Sequence, residues 1–418
     1  MNSRKATRRR WLGNLASAGL GASAFGKADR VLAQAPTRVN VPDFPLSALT
    51  DSTVWNEENF RAAFLPQKST TLIVHKYWPG PVQIFGLDPH AVIARCRDET
   101  IESLTILFLD AGTHFGYVPR SLARQTEAEN RDAFQSLSSQ IAETVRQGMA
   151  QLTGGSGSPL DLGKEPMLAQ QVTLFRCGNL TARLHIMEEQ LIKLVLFRDE
   201  PEARHWFDPA ELERRKSDRV KSYVRSVSEH SNGDILLDDI PILPQGDRAY
   251  CGVSSLAMAM QSLGLSIDTE DYAASAGIRY GSTQGSHIRE TYEAAAAEAG
   301  FRLSRATRYD HDKVMASIDA GLPVIVWRRW TQERDYLHSM FLRKLAKDSD
   351  AQLPAPDATD RATWPAKEAY NHASVITGYN AKRNEVIFSE SWSESVRNRR
   401  MRPEEMEGTA YYTFLLRL

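Results

Sequence analysis

Between residues 128 and 152 apolar side chains recur at spacings of three and four, with Phe134, Leu137, Ile141, Val145 and Met149 along one stripe. That period predicts a long amphipathic helix. The run Gly154-Gly-Ser-Gly-Ser-Pro159 ends it and reads as a flexible connection. Around this helix the pattern shortens to stretches rich in β-branched and aromatic residues, which predict strands at 71–76, 82–85 and 101–109 before it and at 171–177, 180–186 and 191–197 after it. The last three are spaced as an antiparallel meander. Residues 89–96 read as a short helix. Together these elements predict a compact α+β domain.

The pattern changes at residues 209–233, where acids and bases alternate as in a solvated helix or linker. A domain boundary is placed near Ser231-Asn-Gly-Asp234. Beyond it an apolar helical run begins at Cys251, further helices are expected at about 286–299 and just before Ala320, and Val324-Ile-Val326 continues as a strand. Two more strands, 369–380 and 384–392, are joined by a polar turn and form a hairpin. Residues 344–368, rich in Ala, Asp and Pro, interrupt this path as a long insertion, either a lid or a variable surface excursion. The fold class expected for the whole is α+β: a cysteine-bearing helix packed on an antiparallel sheet, preceded by a separate α+β domain.

Composition adds limits. A chain of 418 residues with 42% hydrophobic and 25% charged content builds two or three globular domains. Its first 35 residues stand apart: Thr7-Arg-Arg-Arg-Trp-Leu12 is followed by a weakly apolar Gly/Ala-rich run to Phe25 and by Val31-Leu-Ala-Gln-Ala35. This reads as a basic region, an apolar region and a small-residue cleavage site, with cleavage after Ala33 or Ala35. The arginine pair resembles a twin-arginine export signal. The segment holds seven bases and one acid, a net of +6, so its removal takes the formal charge from −1 to about −7. An acidic mature chain is a poor binder of nucleic acid or of an anionic membrane. No other apolar run reaches the roughly 18 residues of a membrane span, so no stable membrane anchor is expected after signal removal.

Candidate chemistry is sparse until the second half. His75, His90 and His114 lack metal-ligand spacing and read as structural or surface residues. The three cysteines, Cys96, Cys177 and Cys251, include no Cys-x-x-Cys pair, which argues against zinc or iron-sulfur sites. Cys96 and Cys177 either pair after export or remain two buried thiols. Cys251 opens a helix, where unsatisfied N–H groups and the dipole favour thiolate. On those grounds alone a structural cysteine capping a core helix is the favoured reading. Downstream lie His372, at the start of one predicted strand, and Glu390, at the end of the next, side by side in an antiparallel hairpin. Cys, His, then a carboxylate is the order that a nucleophile, its base and an orienting group require. His287, in a loop before a helix, is read as a surface or groove residue.

Residues 236–400 resemble a papain-like cysteine peptidase of the C39-like group of bacterial double-glycine peptidases. The resemblance rests on Gln245 six residues before Cys251, on Asp238-Asp-Ile-Pro241, Cys251-Gly252 and Ser255-Leu-Ala-Met258, and on the order of later helices, Gly300-Phe301 and the His372 strand. Glu390-Ser-Trp392 is similar to the Asn-Ser-Trp of papains, with Glu where that family has Asn or Asp. The resemblance implies Cys251 as nucleophile, His372 as base, Glu390 as orienting group, and Gln245 with the Cys251 backbone N–H as oxyanion donors. It implies a peptide or protein substrate, and no cofactor or metal. The expected organisation is a signal at 1–35, an α+β domain of unassigned role at 36–230 that presents substrate or masks the groove, and a peptidase domain at 231–418. The expected protein is exported, periplasmic or secreted, and its partners include the export machinery. A cell-wall amidase, a transamidase or a catalytically silent binding module on the same scaffold are the alternatives.

Overall fold

The computed structural model describes residues 43–66, 71–118, 122–208, 211, 213–278 and 286–417. The export segment at 1–35 lies outside the described residues. The chain divides into two compact units, the first holding residues up to Pro209 with Gln245–Tyr250 and Glu270–Ile288, the second holding Ala210–Pro244, Cys251–Thr269 and Arg289–Leu418. Both are mixed α+β.

The first unit is built on a seven-stranded antiparallel sheet: β1 (Ile73–Tyr77), β2 (Ala91–Arg97), β3 (Thr100–Asp110), β4 (Ser158–Leu162), β5 (Gln170–Cys177), β6 (Leu180–Met187) and β7 (Leu191–Phe197), in the order β1-β2-β3-β7-β6-β5-β4. A short helix α1 (Ala111–Phe115) follows β3, and α2 (Ala123–Thr153) packs on the sheet. Strand alternation divides the side chains. Leu184, Ile192, Leu194 and Leu196 join Phe134, Val145 and Met149 of α2 in one core, whereas Arg183, His185 and Lys193 occupy the intervening positions. The stripe that predicted α2 is therefore its buried face, and Gly154 closes the helix in a left-handed conformation.

Two expectations fail here. Residues 89–96 form β2 rather than a helix: Val92, Ala94 and Cys96 enter the α2-facing core while Ala91 and Ile93 enter a cluster on the other face. Pairing with both β1 and β3 overrides the local propensity of a Pro- and Ala-containing run. Residues 82–85 form no strand, because Phe85 (φ 53) and Gly86 (φ 72) make a two-residue turn closed by Ile84 and Leu87. Cys96 and Cys177 are separate buried thiols, each raised to about 11 by burial. Among the described residues, no cluster of His, Cys, Asp and Glu is arranged to hold a metal, and no helix is long and apolar enough to cross a membrane.

The second unit holds α3 (Lys216–Arg225), β8 (Val227–Glu229), β9 (Ile235–Leu237), α4 (Cys251–Gln261), α5 (Ile288–Glu298), β10 (Arg302–Ala306), α6 (His311–Asp319), β11 (Val324–Trp330), α7 (Gln332–Leu345), β12 (Tyr370–Asn380), β13 (Glu385–Ser389), β14 (Arg399–Met401) and β15 (Ala410–Arg417). Its sheet runs β10-β15-β11-β12-β13-β14, with β9 beside β12 and β8 beside β9, antiparallel throughout. Helix α4 lies on β11 and β12, and every residue after Cys251 in it is buried. A helix buried on all sides is a central one. The insertion at 344–368 is fastened along its length: Arg383 donates to Ser349 O (2.7 Å), Arg402 to Leu353 O (2.6 Å) and Arg334 to Asp360 (2.7 Å). Those ties make it a fixed surface excursion.

Candidate active site

Cys251 is the first residue of α4 and half-buried. Helix and sheet are tied one turn further on, where Ser255 Oγ donates to Ala373 O (3.2 Å), so the register of α4 on β12 is set beside His372. Tyr292 of α5 adds a second tie by donating to Gly252 O (2.6 Å) while accepting from Trp327 Nε1 (3.3 Å). His372 and Glu390 meet because β12 and β13 form the expected hairpin, with Val375 opposite Ser389.

His372 Nε2 stands 2.7 Å from Glu390 Oε2, and the imidazole is also hydrogen-bonded to the Cys251 sulfur. Burial opposes charge at all three groups, and in each case the neighbours outweigh it. The Cys251 thiol is held below its ordinary value by the His372 hydrogen bond and charge and by the Ala373 and Gly252 N–H groups. His372 is raised to about 9 by the charge of Glu390, the bond to Cys251 and the bond to Glu390. Glu390 is lowered to about 2 by the charges of His372 and Arg328, with Arg399 adding to them. The arrangement favours a thiolate–imidazolium pair backed by a carboxylate.

Aromatic rings wall this row. Trp392 lies over His372 with ring centroids 4.9 Å apart, and Trp330 stands edge-on to Trp392 at 6.0 Å. Excluding water lowers the local dielectric and strengthens the ionic contacts. Trp392 itself carries the Arg399 guanidinium on its face, 4.9 Å from the ring centroid.

The expected residues fare differently. Cys251, His372 and Glu390 come together. Gln245 sits in the turn before Tyr250, its Nε2 donating to Arg248 O (3.1 Å), while Arg248 Nε returns a bond to Gln245 O (2.6 Å). That turn is anchored by Tyr250 Oη, which donates to Asp110 Oδ1 (2.7 Å) and accepts from Gly112 N (3.1 Å), and by the Arg248–Glu270 pair (2.6 Å). His287 is exposed. The sequence reading missed Ser255, Arg328 and Ser374. For Arg328 the signal was present: an arginine inside the strand Val324-Ile-Val-Trp-Arg-Arg-Trp330 is costly unless paired.

Residues 237–414 match the Peptidase_C39 like family. This C39-like region is less than half of the chain and holds Gln245, Cys251, His372 and Glu390. Among solved structures, a putative C39-like peptidase from Bacillus anthracis is 17% identical, covering 44% of this chain and 97% of its own at a TM-score of 0.29. The peptidase domain of Streptococcus ComA, described as a bi-functional ABC transporter of a quorum-sensing pathway, is 16% identical, covering 42% and 96% at a TM-score of 0.27. Both likenesses are too distant to transfer an activity. No curated protein matched the chain.

Proposed function

We propose that the C39-like region is a thiol hydrolase that cleaves peptide bonds through Cys251, His372 and Glu390. The observation that carries this reading is the single row in which Glu390 Oε2 lies 2.7 Å from His372 Nε2 and the same imidazole bonds the sulfur that opens α4. The Cys251 thiolate attacks the acyl carbon, and the His372 imidazolium protonates the leaving amine as the C–N bond breaks. His372, now neutral, takes a proton from water, whose oxygen attacks the thioester and releases the acid and the thiolate. Gln245 and the Cys251 backbone N–H are the proposed oxyanion donors, each such donor being worth about 2.7–4 kcal/mol.

Two wider elements belong to the same proposal. The chain is exported to the periplasm or beyond by its arginine-pair signal, and replacing Arg8 and Arg9 by lysine should leave precursor in the cytoplasm. Residues 36–230 present substrate to the reactive cysteine. An isolated 231–418 fragment, which lacks Asp110 as the partner of Tyr250, should lose activity or change specificity. An unaltered fragment overturns that role.

The core reading is tested by labelling with an active-site thiol probe and by peptide hydrolysis, wild type against Cys251→Ala. Rapid labelling and turnover that both vanish in the variant are expected; a wild type inert in both assays overturns it. Mass analysis of products from peptide and peptidoglycan substrates separates peptidase from amidase or transamidase.

A further inference from the structure

Glu390 has no solvent exposure, and its two oxygens have separate partners. Oε2 addresses His372, whereas Oε1 accepts from Arg328 Nη2 (2.6 Å) and Ser374 Oγ (3.0 Å). Arg328 is itself only 2% exposed and stands directly across from His372 in the β11–β12 pairing. Its Nε donates to Ser374 Oγ (3.2 Å), and its guanidinium lies over the Phe388 ring at 5.2 Å. Arg328, Ser374 and Glu390 thus close a triangle of hydrogen bonds behind the histidine. A further charge near Glu390 is Arg399 of β14, whose own hydrogen bonds go to Asp335 and Ser339 of α7. Arg328 is therefore the cation bonded directly to Glu390 besides the histidine.

From this geometry we infer that Arg328 is a positioning residue for the proposed hydrolysis: with Ser374 it holds Glu390 ionised and commits Oε1, so that Oε2 alone faces His372. A buried carboxylate without a counter-charge takes up a proton, and a protonated Glu390 supports the imidazolium poorly. With Arg328 present, Cys251, His372, Glu390 and Arg328 form a row of alternating charge. This explains how a longer, charged glutamate can stand where the resembled papains use an uncharged asparagine. Glu390→Gln keeps an acceptor for His372 but leaves the buried Arg328 guanidinium without its carboxylate.

The inference rests on the Cys251–His372–Glu390 reading, and the test separates the two. Full-length Arg328→Met, Arg328→Lys, Glu390→Gln and the double variant Arg328→Met/Glu390→Gln are compared by peptide turnover, by thermal melting and by the pH dependence of Cys251 alkylation with iodoacetamide. Arg328→Met and Glu390→Gln should each cost about 10- to 100-fold in turnover, by analogy with the loss of a group that orients a metal-binding histidine. Arg328→Met should also move the onset of alkylation to higher pH, because the imidazolium no longer lowers the thiol as strongly. Arg328→Lys keeps the charge without the fork, and should retain the wild-type alkylation profile while turning over more slowly. The double variant, which strands no charge, should melt higher and alkylate faster than either single variant. If both Arg328 variants keep the wild-type alkylation profile and turnover, or if the two single losses simply add in the double variant, Arg328 has no positioning role. Should Arg328→Met not fold, Arg328→Lys and the double variant decide. A wild type whose Cys251 is unreactive overturns the hydrolase reading instead.

Discussion

Two buried histidines in this chain keep similar company and end in opposite charge states. In the first unit His185 lies among Lys193, Asp271, Arg183 and Gln170, with Lys193 Nζ 2.5 Å from Asp271 Oδ2. In the second, His372 lies among Glu390, Arg328 and Cys251. Arg183 Nε donates to His185 Nε2 (2.9 Å), and an arginine can only donate, so that nitrogen must accept and the ring is neutral. The other nitrogen, 2.8 Å from Gln170 Oε1, then carries the proton, while Asp271 stands off at 3.7 Å with its charge engaged by Lys193. Burial, Lys193 and Arg183 all hold His185 well below the ordinary imidazole value. At His372 burial acts the same way, but the carboxylate is in direct contact and an acidic thiol sits on the far side, so the net shift is upward. Residue type does not decide between a structural and a reactive cluster; which atom each partner offers to the ring does.

The largest test of that contrast is removal of the reactive row. Cys251→Ala or His372→Ala should reduce turnover by about 10⁴-fold or more, whereas His185→Asn should leave turnover per folded molecule unchanged and lower the melting temperature. A large drop in turnover for folded His185→Asn would break the division. Next in size, Lys193→Met removes the counter-charge 2.5 Å from Asp271 at a site only 1% exposed and should cost about 3–5 kcal/mol of stability by denaturant titration, again with turnover per folded molecule intact. Glu390→Ala frees the His372 ring as well as Arg328, so its turnover should fall at least as far as that of Glu390→Gln.

The smallest and most discriminating effect is in pH. His372 is raised from 6.5 to about 9, so its share of stability is full below pH 6.5 and is lost as pH rises through about 9. Turnover should fall over the same alkaline range as the imidazolium loses its proton. His185 is lowered, so it must gain a proton on unfolding in acid, and its penalty grows as pH falls below 6.5. Glu390, lowered to about 2, adds to the acid limb, its share being present above 4.5 and lost as pH falls toward 2. Melting temperature against pH should therefore lose its alkaline slope in a folded His372→Ala protein and flatten in acid in His185→Asn. Identical profiles for the two variants would show that the clusters do not differ as described.

By itself the sequence determined the elements whose pattern is local and long: the α2 stripe, the 171–197 meander, the helix opening at Cys251 and the hairpin that carries His372 and Glu390. Period and turn chemistry act over a few residues, so they can be read from a few residues. Tertiary structure decided what depends on distant partners. Residues 89–96 became β2 because two strands claim them, and Phe85-Gly86 became a turn where a strand was expected. The third member of the row was legible as Glu390, but its charge was not, since that depends on Arg328 62 residues earlier in the chain. His185 and Lys193 looked like ordinary strand positions until Asp271, 78 residues beyond Lys193, closed their cluster. A buried charge is tolerated only beside its partner, and for these groups the partner is supplied by folding rather than by neighbouring sequence.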